Sequence, residues 1–208
     1  MYQKYIKKVF DLFLALVSLV LLLPIAIIIS IISFIIFKGK IFYKQKRIGQ
    51  FNKEIEIFKF RSMTDKMDYD GNLLPEAHRL NTWGYFLRKY SMDEIPQIIN
   101  IIHGDISFVG PRPLLKEYLS YYSKDEIRRH SVKPGLTGLA QVMGRNSISW
   151  DKRFSYDLYY TENLSFILDV KILMKTFFQV ITGKNTHFSS SLVQERIVVP
   201  LDSGLGIN

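Results

Sequence analysis

Residues 12–37, LFLALVSLVLLLPIAIIISIISFIIF, form an apolar run of about 26 residues without a single charge. No other stretch limits the fold as strongly. A helix of about 20 apolar residues is enough to cross hydrocarbon, and within lipid the backbone has to satisfy its own hydrogen bonds. The run is too long for a secretory signal, and no small-residue cleavage site follows it. Pro24 stands near its middle, where it removes an amide donor and crowds the carbonyl four residues back. Two arrangements satisfy this pattern: a kinked transmembrane helix, or a helix–break–helix hairpin that enters and leaves through one leaflet. Ser18, Ser30 and Ser33 are the polar side chains nearest the bend. Cations flank both ends, with Lys4, Lys7 and Lys8 before the run and Lys38, Lys40, Lys44, Lys46 and Arg47 after it. Because such cations gather on the cytoplasmic side, the doubled flanks favour the re-entrant form.

The remaining length of the 208-residue chain suits one domain of ordinary size. A formal net charge of +9 points to a polyanion, either nucleic acid or a surface of lipid headgroups and phosphates. The absence of cysteine excludes disulfides, thiolate zinc sites and cysteine nucleophiles. The four histidines are scattered and suggest no His-rich metal centre. IFYKQKRIG and IEIFKFRSM alternate apolar and polar residues, which predicts a β-hairpin turning near Gly49-Gln50-Phe51-Asn52. TDKMDYDGNLLPEAHR reads as a surface loop, and TWGYFLRKY as an amphipathic helix whose aromatics suit either a membrane interface or a core. HGDISFVGPRPLL contains a short strand before a rigid Gly110-Pro111-Arg112-Pro113 loop. KEYLSYYSKDEIRRH is expected to be helical and residues 132–145 an irregular loop. Two helices should follow, the second apolar along Val170, Leu173, Phe177 and Val180. Beyond Gly183 the tail reads as loosely structured, with IVVPL able to form a strand. The fold class is thus α/β: a mostly helical small globular domain with a short β-hairpin, plus an N-terminal re-entrant membrane helix broken at Pro24. The expected divisions are 1–38 for the membrane helix, 39–183 for the globular domain and 184–208 for the tail.

The window RKYSMDEIPQIIN carries two adjacent acids, Asp93 and Glu94. Ser91 followed three residues later by Glu94 is the pattern of a capping box. Ile95, Ile98, Ile99 and Ile102 have the spacing of a buried helical face. A helix N-terminus would also keep Asp93 ionised at neutral pH. The alternative to capping is chemistry. Arg88, Arg112 and Arg145 stand in restrained backbone contexts, and a guanidinium offers a planar fork to phosphate. Lys59 is a similar cation on a predicted strand. With phosphate charge neutralised in front of it, Asp93 can act as a nucleophile. Glu94 can serve Mg²⁺, which takes few carboxylates together with phosphate oxygens and water.

At these residues the chain resembles the bacterial sugar transferases known as monotopic phosphoglycosyl transferases, in particular the small single-domain members. The motifs are IFKFRSM at residues 57–63, Arg88 with SMDEIPQ at 91–97, GDISFVGPRP at 104–113 and KPGLTGLAQV at 133–142. The resemblance implies transfer of a sugar 1-phosphate, expected to be an N-acetylated amino or deoxy sugar, from a UDP-sugar to undecaprenyl phosphate with release of UMP. It implies Asp93 as the nucleophile that carries a phosphosugar and Glu94 as a Mg²⁺ ligand, with Asp93 beside it at the metal. Lys59, Arg88, Arg112 and Arg145 would line the phosphates. Gln97, Gln141, Asp157 and Asp169 match further polar positions of the site region. The implied setting is the bacterial inner membrane, with the catalytic domain on its cytoplasmic face, at the first membrane step of glycoconjugate biosynthesis and upstream of other glycosyltransferases. Where the family breaks its helix at Ser-Pro, this chain has Leu23-Pro24. A membrane-tethered basic nucleic-acid-binding or regulatory module would also explain the charge. It would cluster its cations along one helix, whereas here they are spread over loops, so nucleic acid is not an expected partner.

Overall fold

The computed structural model describes residues 2–144 and 147–182. A π-turn at Tyr2–Ile6 leads into helix α1, Lys7–Ile36. Its 30 residues span roughly 45 Å at 1.5 Å per residue. Pro24 lies inside α1 without dividing it, so the break expected there is not seen as an interruption of the helix. Ser30 donates to the carbonyl of Ala26 at 2.7 Å, one of the local side-chain bonds with which helices adjust. One narrow stripe is buried, with Lys7, Asp11, Ala15, Ile29 and Ser33 at near-helical spacing. Most of the remaining surface is exposed aliphatic side chain.

The hairpin appears where alternation placed it. Strand β1, Phe42–Ile48, pairs antiparallel with β2, Glu54–Phe60, around a 3₁₀ turn at Gln50–Asn52. Several flanking cations turn out to be locally engaged: Lys44 and Lys46 meet Glu56 and Glu54 across the ladder at 3.3 and 2.9 Å. The polar stretch after β2 is a loop that folds back on itself through the Met67–Leu73 bridge. Short helix α2, Glu76–Arg79, then precedes α3, Thr82–Lys89. Asn81 caps α3 by accepting from the Gly84 amide at 2.7 Å. Gly84 is required here: a Cβ would lie 1.7 Å from the Ser62 carbonyl oxygen. On α3, Trp83 donates to Ser33 of α1 at 3.0 Å, while Tyr85 and Phe86 stay exposed. The aromatics therefore divide between the two roles left open.

Helix α4, Gln97–His103, begins later than the capping pattern predicted. Ser91 is in the left-handed region with φ 54° and makes no side-chain cap. Met92–Glu94 is a 3₁₀ turn, and the Glu94 side chain is engaged elsewhere. The buried face of α4 is Ile98 and Ile101, with Ile95 and Ile102 at its margin, while Ile99 is exposed.

Strand β3, Ser107–Val109, was expected, but its partner was not. The glycine-rich stretch read as irregular contains β4, Gly135–Thr137, parallel to β3, and helix α5, Leu139–Met143. Backbones approach too closely there for side chains, since a Cβ on Gly110 would lie 2.4 Å from the Lys133 carbonyl. The predicted helix before β4 is instead two 3₁₀ segments, Lys116–Tyr121 and Glu126–Ser131. Helices α6, Trp150–Glu162, and α7, Phe166–Thr182, follow as expected. The inward residues of α7 are Asp169 and Ile172, however, and Phe177 is exposed. The IVVPL stretch lies outside the described residues. The main core joins Ala15 of α1 to Ile57, Ile98, Ile101, Ile106, Val109, Tyr160 and Ile172. A second cluster of Ile29, Phe60 and Leu87 sits beneath the segment that carries the acids.

Candidate active site

Alternation along β2 places Ile57 and Lys59 on one face, so burying Ile57 in the core carries Lys59 to its rim. Lys59 Nζ lies 2.7 Å from Glu94 Oε1 and 3.9 Å from Asp93 Oδ2. Arg112 Nη2 donates to the same Glu94 oxygen at 3.1 Å. Ser91, held at positive φ, delivers both acids to these cations. Such a conformation costs a non-glycine residue about 1–3 kcal/mol and is typical of sites whose surroundings impose it.

The two acids are in different electrostatic states. Burial pushes the Asp93 carboxyl up to about 6; Lys59 opposes the rise and the neighbouring Glu94 charge adds to it. Burial also works against ionised Glu94, but Lys59 and Arg112 outweigh it and hold that carboxyl well below the usual range. Glu94 is thus a neutralised anion at any physiological pH. Asp93 is a poorly solvated carboxylate that ionises just below neutrality, contrary to the expectation of a helix terminus keeping it charged. Carboxyls perturbed in this way cluster at functional sites.

The other expected residues are distributed around this pair. Arg88, on α3, donates through Nε to Ser62 Oγ at 2.9 Å, and its Nη1 lies 3.6 Å from Glu76. Its charge stabilises ionised Asp93. Gln97 opens α4 and is buried. Gln141, on α5, donates to the Leu136 carbonyl at 3.1 Å. Arg145 lies outside the described residues. Asp157 does not meet the acids: its Oδ2 accepts from Arg129 Nε and Nη2 at 3.0 and 2.7 Å. Asp169 belongs to a separate buried network. It accepts from Lys7 at 2.6 Å, Tyr2 at 2.5 Å and Tyr160 at 2.7 Å, and beside it Ser107 donates to Asp11 at 2.7 Å. That network fastens the start of α1 to α7 and β3.

The residue that sequence reasoning missed is Arg129. It is 2% exposed, lies against the rings of Tyr122 and Phe154, and donates from Nη2 to the Arg112 carbonyl at 2.8 Å. Arg129 and Asp157 therefore fix the backbone that presents Arg112. An arginine in a run of charged residues, EIRRH, gives no local sign of burial.

Two carboxylates among three cations, Lys59, Arg88 and Arg112, suit phosphate chemistry, and the wider comparison agrees. Residues 2–183 match the family described as bacterial sugar transferase. The chain belongs to that family. It is 43% identical over 196 residues to the "uncharacterized sugar transferase EpsL" of Bacillus subtilis (strain 168), covering 92% of this chain and 95% of that one. It is 34% identical to the exopolysaccharide production protein ExoY of Rhizobium meliloti (strain 1021), covering 87% and 88% respectively. It is 35% identical to the UDP-glucose:undecaprenyl-phosphate glucose-1-phosphate transferase of Klebsiella pneumoniae, where 87% of this chain matches 41% of the longer relative. As a bacterial sugar transferase it is an enzyme, as its motifs implied. Tyr2–Ile36 is the one stretch among the described residues long and apolar enough to cross a membrane. Its exposed apolar surface makes this family member a membrane protein.

Proposed function

We propose that this bacterial sugar transferase moves a sugar 1-phosphate from a UDP-sugar to undecaprenyl phosphate in two displacements through Asp93. The observation that carries this reading is the split between the adjacent acids, one desolvated carboxylate beside one cation-neutralised carboxylate. In the first displacement an Asp93 oxygen bonds to the sugar-bearing phosphorus. The bond from that phosphorus to the bridging oxygen breaks, and the bridging oxygen leaves with its electron pair on UMP. In the second, a phosphate oxygen of the polyprenyl acceptor bonds to the same phosphorus and Asp93 is released. Lys59 and Arg112 counter the charge of Glu94 so that it does not repel the incoming diphosphate, and positioning with charge neutralisation is most of what phosphoryl-type transfer requires.

The pair also suits Mg²⁺. Asp93 and Glu94 offer hard carboxylate oxygens, and one Glu94 oxygen is already taken by Lys59 and Arg112. No group of three or more potential ligand residues occurs among the described residues, so the ion would take its other ligands from phosphate oxygens and water. Bound there, the ion would supply further neutralisation of phosphate charge.

The proposed topology is re-entrant, with the body on the cytoplasmic face. What supports it is attachment of both ends of α1 to one body: Lys7 to Asp169 and Ser33 to Trp83. A straight spanning helix would carry one of these polar joints across the bilayer. Cysteine labelling at positions 2 and 40 in intact cells tests this, and periplasmic labelling at either position would refute it.

The reaction is tested by UMP release from a panel of UDP-sugars with undecaprenyl phosphate. The N-acetylated amino and deoxy sugars expected from sequence are set against UDP-glucose and UDP-galactose. Mass spectrometry of the enzyme after donor alone should find one phosphosugar on Asp93. UMP release that is retained in Asp93→Asn would refute the two-displacement path.

A further inference from the structure

The hairpin register sets Tyr43 opposite Lys59, Gln45 opposite Ile57 and Arg47 opposite Ile55. Residues two apart share a face of a strand, as do direct cross-strand partners. Gln45, Arg47, Ile55, Ile57 and Lys59 therefore line one face, the face that buries Ile57 and presents Lys59 to Glu94. At the end of β1, the Ile48 amide donates to the Leu114 carbonyl at 2.9 Å. That bond brings Arg47 alongside the segment that leaves Arg112. Arg47, which the sequence offers only as one more flanking cation, is thus turned toward the site.

Its surroundings do not match its charge. The side chain is half-buried, and its Nη2 donates to Gln45 Oε1 at 2.7 Å, a neutral acceptor. Among the described residues it has no ion-pair partner. Burial and the like charge of Arg112 push its guanidinium down to about 10, against a weaker pull from Glu94. A cation withdrawn from water and facing another cation is destabilising until an anion arrives.

We infer that Arg47 binds the nucleotide phosphate of the donor, the phosphate that departs as UMP, with Arg112 standing between it and Asp93. This rests on the reaction proposed above. Geometry gives the assignment: Arg112 reaches the Glu94 carboxylate at 3.1 Å, whereas Arg47 is held beside the Arg112 segment by the Ile48–Leu114 bond and, among the described residues, bonds to Gln45 and to neither acid; the charges follow the same order. The strongest charged influences on Asp93 are Lys59, Glu94, Arg88 and Arg112. Those on Arg47 are Arg112, two tyrosines and Glu94, without Asp93. The transferred phosphorus has to meet Asp93, so the second phosphate of the diphosphate extends past Arg112 toward Arg47. When the bond from the transferred phosphorus to the bridging oxygen breaks, negative charge grows on the departing UMP, and Arg47 offsets it there. Nothing in the second displacement calls on Arg47, because UMP has left before the acceptor enters.

The test separates the half-reactions in Arg47→Gln and Arg47→Lys. In Arg47→Gln, KM for the UDP-sugar and the inhibition constant of UMP should each rise tenfold or more. Transfer from preformed phosphosugar enzyme to undecaprenyl phosphate should stay within twofold of wild type. Arg47→Lys, which keeps charge without the planar fork, should fall between. UMP binding by calorimetry reads the same interaction without turnover, so it decides the assignment even if the covalent path proves wrong. Unchanged UMP affinity in Arg47→Gln would overturn the inference. So would equal loss in both half-reactions with a lowered melting temperature, which is what a purely structural arginine would produce. Failure of the wild-type enzyme to release UMP from any UDP-sugar would refute the reaction itself.

Discussion

If Asp93 is a desolvated nucleophile, removing its charge should stabilise the protein while abolishing turnover. The carboxyl ionises near 3.9 in an unfolded chain and at about 6 in the fold, chiefly because it is buried. At ~1.4 kcal/mol per pH unit, the difference corresponds to ~3 kcal/mol. The sign follows from linkage. Between pH 4 and 6 the folded state holds a proton that the unfolded chain has lost, so this group's contribution is fully present below about pH 4 and is lost as pH rises through 6. Asp93→Asn has the shape of the protonated acid and no proton to lose. Relative to wild type it should be equally stable at pH 4 and about 2–3 kcal/mol more stable at pH 8. For a chain of this size that is a melting-temperature increase of roughly 4–12 °C. Thermal unfolding followed by the fluorescence of Trp83 and Trp150, in detergent at pH 4.5, 6 and 8, measures it, since other titrating groups cancel in the difference. An Asn variant no more stable than wild type at pH 8, or one offset equally at every pH, would refute the description of Asp93 as a desolvated carboxylate.

Three further outcomes follow from the same geometry. The kcat/KM for UDP-sugar should fall about tenfold per pH unit below pH 6 as Asp93 protonates; a profile flat between pH 5 and 7 would contradict it. Arg129→Met leaves Asp157, 4% exposed, as an unpaired buried charge and should cost about 3–5 kcal/mol in denaturant unfolding, with Arg129→Met/Asp157→Leu recovering most of the loss. Ser91→Ala should change stability by less than about 0.5 kcal/mol, because Ser91 makes no side-chain cap; a loss near the ~1 kcal/mol of a true N-cap would restore the capping box.

What sequence reading recovered is what local periodicity encodes. The hairpin follows from alternation over residues 42–60, and α6 and α7 follow from helical spacing. Lys59, Asp93, Glu94 and Arg112 are grouped by residue type and backbone context as well as by resemblance, and the structure links them through Lys59–Asp93, Lys59–Glu94 and Arg112–Glu94 pairs. What stayed hidden depends on partners far along the chain. The Ser91–Glu94 spacing fits a capping box, but the pull of Lys59 and Arg112 on Glu94 takes its side chain away from any backbone amide. The glycines of residues 133–144 read as breakers, whereas Gly135 permits a parallel pairing with Ser107 that no local signal predicts. Asp157 and Asp169 were placed at the site by resemblance alone. Both are buried acids, and their cations, Arg129 and Lys7, come from elements 28 and 162 residues away.

These two buried ion pairs make a common point about how the site is held. Breaking either would strand a charge at a cost well above that of a surface pair, so each acts as a fixed joint. Arg129 with Asp157 secures the backbone of the Arg112 loop from behind, through the Arg112 carbonyl. Lys7 with Asp169 secures the start of the apolar helix, and Tyr160 links that joint to the same region, its hydroxyl lying 2.7 Å from Asp169 Oδ1 and 2.9 Å from the Val109 carbonyl, two residues before the Pro111-Arg112 turn. Val109 and Arg112 are thus anchored from two directions within four residues. On the proposed reaction, that arrangement fixes the cation facing Glu94 relative to the helix that sets the depth of the enzyme in the bilayer. The height at which Asp93 meets a lipid-borne phosphate is then a property of the folded chain and is not left to a flexible linker.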